Sequence, residues 1–514
     1  MKHPTVRSRW SVPGPSDLVF AIVVLLILAG GRHALFNDPG TYWHLRLGRD
    51  ILATATVPRH DSLTFTRFQE PWIDQSWGFD VLLAIIVDHV GWPGAAVLTS
   101  LGLAWVYSSL TRDLIDEGSS AVTAVVVGLL AAAVGSTHFL IRPHVFTLTF
   151  VYLAFRLCRE QRRRGGWALA WVIVLTAVLA NLHGGFVALP LIVACAGVGA
   201  VASGESVKRY AVVLAACSLA SLLNPYGLEL HRHVVRLLFT SGVTSLIDEY
   251  KSAPFGRPEA RVLEMAVLAL IALPAFSNRK IERADLIHVL VWLHLALTSI
   301  RNAPLFAIAA APVIAGLLEG LATTFRTVWT DQPGWSRPRW AVTGGLLALI
   351  ALKVPIGAPD PARWPLKAVA VIDEEDVHRR LFHEQDWGGL IASQCRSRRP
   401  VFIDDRFELF GAKAVLEYVA AIGGGPEWEA IRDRERIDVV WVKPDRGLAR
   451  RLRNDPAWTI AHSDAASIVF ERVETSLDVT EANDGPSPGS RAAATDLGQG
   501  AGLAQPPLPR FSKR

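Results

Sequence analysis

The chain has 514 residues, a mean hydropathy of +0.30 and 51% hydrophobic residues, and only 19% of it is charged. A soluble chain of this length carries about a quarter charged residues, and here the apolar excess is blocked into runs of about 16 to 20 residues, the length that crosses a bilayer. The composition therefore excludes an ordinary soluble enzyme, and a formal net charge of +5 with localised arginines gives no reason to invoke nucleic acid.

In chain order, spans are expected near 18–35, 93–111, 120–137, 143–158, 166–182, 185–203, 208–223, 260–276, 284–300, 303–320 and 340–357. The first lacks a small-residue cleavage site and reads as an anchor. Basic residues set the orientation. Lys2, Arg7 and Arg9 precede the first span. Later clusters are Arg159, Arg162, Arg163 and Arg164, then Lys208 and Arg209, then Arg279, Lys280 and Arg283. With eleven spans every cluster falls on the side of the N-terminal segment 1–17, which is expected in the cytoplasm. The fold class is thus a polytopic α-helical membrane protein with its spanning domain at 18–357.

The first external loop, 36–92, is expected to hold two helices lying on the bilayer surface. One, near 41–53, sets Trp43, Leu47 and Ile51 against Arg46, Arg49 and Asp50. The other, 77–91, is too short to cross and carries Asp80 and Asp88. After the last span, residues 366–473 read as a small α/β domain outside the cytoplasm, with strand-like runs at 400–403, 437–442 and 466–471. The tail 475–514 is rich in Ser, Pro, Gly and Ala and is expected to be disordered. The four cysteines show no metal-ligand spacing and read as small buried apolar residues.

Polar residues at the outer ends of the spans fall at one membrane face: Asp38, His44, Asp74, Gln75, Arg142, His144, Asn181, His183, Asn224, Arg301 and Asn302. Several sit in poor helix formers, Arg142-Pro-His, Asn181-Leu-His-Gly-Gly, Asn224-Pro-Tyr-Gly and Arg301-Asn-Ala-Pro, where Gly and Pro end a helix and free backbone to line a cavity. Taken singly, each has an ordinary explanation. Asp38 can cap the helix that follows, the asparagines can start turns, the arginines can reach lipid headgroups, and Trp43, Trp72 and Trp77 can form an interfacial belt. Taken together, a carboxylate that can act as base and two arginines that can hold phosphate suit glycosyl transfer from a polyprenyl phosphate.

The order of a first span, an acidic motif opening one juxtamembrane helix and a second such helix resembles the first external loop of GT-C membrane glycosyltransferases, among them protein O-mannosyltransferases and lipid A aminoarabinose transferases. More closely, the chain resembles a group of bacterial GT-C-like proteins. The stretches that carry this likeness are Asp38–Leu45, Arg142-Pro143, Asn181–Gly185, Asn224–Gly227, Arg301–Phe306, Trp387–Gly389 and Ile403–Arg406. The resemblance covers 18–473 and implies a GT-C-like helical bundle in the bacterial cytoplasmic membrane, with an extracytoplasmic C-terminal α/β domain.

It further implies transfer of a sugar from a polyprenyl-phosphate-linked donor, met from the lipid bilayer, to a glycan, lipid or protein acceptor of the cell envelope. Asp38 would be the catalytic base, and Arg142 and Arg301 would stabilise the leaving phosphate. Asp74 and His183 would orient donor or acceptor. Separately from the resemblance, Asp404 and Arg406 follow directly on the strand-like run at 400–403, where α/β sheets place functional loops: either Asp405 and Arg406 form a surface ion pair worth little, or Asp404 and Arg406 face the site and help close it. A divalent metal would suit such chemistry, but the first loop has no tight D-x-D or E-x-D pair, so no metal ligand is assigned. Three other classes fit less of the pattern. A transporter would show internal repeats and mid-span polar breaks, a non-catalytic assembly subunit would keep the fold alone, and an O-antigen-polymerase-type enzyme would carry its large external loops late.

Overall fold

The computed structural model describes residues 14–473 apart from 240–241, 257, 322–359, 361–362, 375–376 and 396–397. The expected span at 340–357, most of the N-terminal segment and the tail 475–514 lie outside the described residues. Ten expected spans each contain a helix. In chain order the helices are α1 (Pro15–Leu35), α2 (Gly40–Thr54), α3 (Trp77–Asp116), α4 (Ala121–Gly135), α5 (His144–Arg164), α6 (Trp171–Leu179), α7 (Ala188–Ala202), α8 (Lys208–Ala220), α9 (Leu228–Phe239), α10 (Pro258–Phe276), α11 (Arg283–Thr298) and α12 (Ala303–Leu321). Four segments, Trp77–Asp116, Ala121–His138, Gly184–Ala202 and Ile300–Leu321, are long and apolar enough to cross a membrane.

Local chemistry sets the helix ends. The Asp17 carboxylate accepts the Gly14 amide at 2.7 Å, at the positive end of α1. The Ser120 hydroxyl accepts the Thr123 amide and caps α4. α3 is broken at Gly91, whose φ of +69° is followed by Pro93. The break separates the stretch 77–90 from the apolar stretch that follows Pro93. The first half of α2 is closed to solvent, Gly40 through Leu45 all being buried, while residues 52–54 at its end are exposed. α3 covers one side of it, and Gly48 is the contact point, where a Cβ would stand 1.9 Å from the Asp80 carbonyl oxygen.

The other side of α2 is covered by the C-terminal module. Its elements are α13 (Leu366–Glu374), β1 (Arg380–His383), α14 (Gly388–Gln394), α15 (Phe407–Ile422), α16 (Glu427–Glu435), β2 (Ile437–Val442), α17 (Gly447–Leu452), β3 (Trp458–Ser463) and β4 (Ile468–Arg472). The sheet order is β1-β2-β4-β3. β1 runs parallel to β2, and β4 is antiparallel to both β2 and β3. The runs at 437–442 and 466–471 supply β2 and β4. The run at 400–403 joins no sheet. Val401 instead bridges Thr64 of the first loop, donating to Leu63 O and accepting from the Phe65 amide at 2.9 and 3.0 Å. Tyr42, Trp43 and Leu47 of α2 share one apolar core with Trp364, Trp387 and Leu390 of the module.

Close backbone approach makes Gly48 irreplaceable without strain. Gly48→Ala must push α2 off α3 and is expected to lower stability by about 1–3 kcal/mol, read as the unfolding midpoint in detergent, whereas Gly102→Ala, with open space around its Cβ position, should change it little.

Candidate functional site

Asp38 sits in the turn between α1 and α2, nearly fully buried. One carboxyl oxygen accepts from the Thr41 amide at 2.9 Å and from the Thr41 hydroxyl at 3.1 Å. This is a capping contact, and it fixes the carboxyl plane. The other oxygen lies 3.2 Å from Arg142 Nη1. The same guanidinium meets Glu249 Oε1 at 3.0 Å and approaches Asp405 Oδ2 at 3.9 Å. Asp405 is held in turn by the Trp43 indole N–H at 2.6 Å. Gly40 lies between the two aspartates, where a Cβ would meet Asp405 Oδ2 at 2.9 Å and Asp38 Oδ2 at 3.1 Å. Only glycine lets both carboxylates converge on the start of α2.

Three carboxylates thus surround one guanidinium, and they titrate apart. Burial works against the charge of Arg142, but Asp38, Glu249 and Asp405 together raise its pKa. Burial raises Asp38 above the ordinary carboxylate range while Arg142 opposes the rise. Burial and the neighbouring Asp38 push Asp405 well up. Glu249 is also penalised by burial, yet Arg142 and Arg301 bring it down to about 2. Pairs of acids driven apart by environment are the usual basis for separate acid and base roles.

Arg301 stacks on the Tyr250 ring at 4.4 Å, next to Glu249. His144 is hydrogen-bonded through Nε2 to the His138 carbonyl at 2.5 Å. His183 accepts the Gly185 amide at Nδ1, with the Thr147 hydroxyl 2.7 Å away. An amide donating to Nδ1 leaves the neutral ring's proton on Nε2. Burial, then Arg301, holds the His183 pKa well below its ordinary value. The paired glycines that follow are explained by contact: a Cβ would meet Gln75 Oε1 at Gly184 and Thr147 Oγ1 at Gly185.

The remaining predicted residues hold the scaffold. Asn181 accepts from the Trp77 indole through its side chain and from the Gly78 amide through its carbonyl, and it donates to Leu223 O, tying α3 to the ends of α6 and α8. Asn224 accepts from the Tyr226 amide in its own turn. The Tyr226 hydroxyl donates to Pro58 O and accepts the Asp74 amide. Asn302 donates to Leu295 O. Asp404 turns away from Arg142 and takes Arg406 in a two-pronged pair at 2.6–3.0 Å, while Arg406 also reaches Asp61 at 2.7 Å. This buried triad fastens the module to the first loop. Beside it, Gly389 brings α14 against the backbone of Pro39 and Trp43.

Asp74 and His44 belong to a second buried group. His44 Nδ1 and Asp80 Oδ1 are 2.6 Å apart, and Asp74 Oδ2 and Asp80 Oδ2 are each buried without a hydrogen-bond partner among the described residues. Burial raises Asp74 from 3.8 to about 6. A cleft of about 420 Å³ between the first loop and the module is lined by Arg67, Phe410 and Lys413, and by neither Asp38 nor Arg142. Among the described residues no group of three or more His, Cys, Asp or Glu side chains is placed to hold a metal ion.

Sequence reasoning missed Glu249, Asp405 and the Asp80 partner of His44. Glu249 lies in a polar loop without a pattern. Asp405 is the third residue of Ile403-Asp-Asp-Arg406 and reads in the sequence only as a surface partner of Arg406, whose side chain instead takes Asp404 and Asp61. No protein-family model matches the chain, and no curated protein matches it either.

The Asp74 shift has a definite sign. The folded state keeps a proton that the unfolded chain releases, so Asp74 costs stability as pH rises from about 4 to about 6. Asp74→Asn should remove that loss, flattening unfolding midpoints across this window. An unchanged slope would show that Asp74 is ionised in the folded protein.

Proposed function

We propose that the chain is a GT-C-type glycosyltransferase of the cytoplasmic membrane, moving a sugar from a polyprenyl phosphate to an acceptor hydroxyl at the outer face. The supporting observation is Asp38 itself: a buried carboxylate, oriented by Thr41 and paired with Arg142 at 3.2 Å. It lies at the mouth of a bundle that contains helices able to cross a bilayer. Burial makes such a carboxylate a stronger base than it is in water, and the adjacent guanidinium favours the ionised form it needs.

The reaction would be a single displacement. The acceptor oxygen attacks the anomeric carbon, its proton passes to Asp38, and the anomeric C–O bond breaks with its electron pair leaving on the polyprenyl phosphate. Arg142 and Arg301 would neutralise that phosphate. Glu249 is the most exposed of the three carboxylates on Arg142, with 35% of its side chain accessible against 4% for Asp38 and 15% for Asp405. It is the one that phosphate would displace. His183 would present its Nε2 proton to donor or acceptor. In this reading eleven spans put the N-terminal segment in the cytoplasm and the sheet module outside, where it covers the site.

Asp38→Asn keeps the capping oxygen and the size but removes the basicity. With membranes carrying lipid-linked sugar, this variant should express and unfold as the wild type does and lose transfer by about 10²–10⁴-fold. Full activity in Asp38→Asn would reduce Asp38 to a helix cap.

A further inference from the structure

α9 buries one stripe, Leu230, Val234 and Leu237, against the bundle. Its opposite ridge is Leu228, Arg232, Val235 and Phe239, spaced to fall on one face. The three apolar members of that ridge are 56%, 55% and 81% exposed. A helix washed by water would carry polar residues there. Twelve residues rise about 18 Å, well short of a bilayer core of about 30 Å, so α9 cannot cross. Cations mark the ridge: Arg232 lies within it and Arg236 beside it, one turn apart, with no ion pair to either among the described residues, and Glu229 is the helix's one acid. A shallow depression of about 370 Å³ is lined by His231, Arg232, Val235 and Arg236. Tyr226, just before the helix, is bonded to Pro58, so α9 emerges at the end of the bundle that carries the first loop and Asp38.

We propose that α9 lies in the headgroup layer of the membrane, its outward ridge in the lipid and Arg232 and Arg236 on the phosphates of anionic phospholipids. An apolar ridge marked by arginines is what such a surface selects. The inference needs the chain to sit in a membrane, and it does not depend on sugar transfer.

The test uses the full chain in lipid nanodiscs, with a fluorophore at Phe239→Cys or, as a reference inside an expected span, at Val126→Cys. The four native cysteines are buried, which directs labelling to the introduced one. Phospholipids bearing a quencher high in the acyl chain should quench the Phe239 label, and phosphatidylglycerol quenchers should outcompete phosphatidylcholine ones. Arg232→Ala and Arg236→Ala should each cut that preference about fivefold, the worth of one basic side chain at an anionic surface. A quenched Val126 label beside an unquenched Phe239 label would overturn the proposal, leaving the ridge to water or a protein partner. Quenching without preference for phosphatidylglycerol would overturn the arginine assignment. Silence from both labels would overturn the proposal together with the membrane placement beneath it.

Discussion

One guanidinium shared among three carboxylates is the interaction on which the rest of the structure turns. Arg142 enters from the turn before α5, Asp38 from the turn before α2, Glu249 from the loop after α9, and Asp405 from the sheet module. Four remote segments of chain must therefore be in place before the charges balance. Removing Arg142 would leave the buried Asp38 and Asp405 carboxyls without their counter-charge, whereas neutralising Asp38 alone leaves Arg142 paired with Glu249, so the guanidinium couples the helical bundle, the first loop and the module energetically. The cluster also leaves two more carboxylates than guanidiniums around Arg142. That surplus is what a proton relieves on Asp405, whose pKa burial and the neighbouring Asp38 push well up.

The second constraint is contact without side chains. Gly40, Gly48 and Gly389 each stand where a Cβ would strike a carboxyl oxygen or backbone. Together they let α2 be held between α3 and α14, so that its first turn can present Asp38. The Asp61–Arg406–Asp404 triad fixes the same assembly with charge. A buried ion network of this kind adds little net stability over an apolar packing but is costly to disrupt. Its effect here is to set how the module sits on the first loop, and so to place Asp405 against Trp43.

Much of the helical architecture was legible because hydrophobic runs and Pro/Gly breaks are local signals. The break at Gly91-Trp-Pro93 and the helix beginning at Gly40 both follow from short-range chemistry. Asp38 and Arg142 were legible for the same reason, since each precedes a helix start beside proline. The side chain of Asn224 accepts an amide of its own turn, while those of Asn181 and Asn302 donate to the carbonyls of Leu223 and Leu295, partners that the residues' own neighbourhoods do not announce. Asp404 and Arg406 stand out in the sequence as site residues, while Asp405 reads there only as a surface partner of Arg406. Arg406 takes Asp404 and Asp61, while Asp405 meets Trp43 and Arg142, a division that depends on Asp61, 345 positions away from Arg406 in sequence. Glu249 illustrates the same limit, since nothing in Asp248-Glu249-Tyr250 announces Arg142. The run at Val401 shows how β-forming residues can be claimed by a distant loop and not by the nearest sheet.

The stereochemistry of the transferred sugar tests the account most directly. Purified chain in nanodiscs would be supplied with polyprenyl-phosphate sugars of defined anomeric configuration, and the product's configuration read by nuclear magnetic resonance alongside release of polyprenyl phosphate. With Asp38 acting as base in a single displacement, phosphate release should accompany a product of inverted configuration. A product of retained configuration would make a carboxylate the nucleophile and contradict the assigned role of Asp38, and the absence of any release across the donors would contradict the enzyme reading itself.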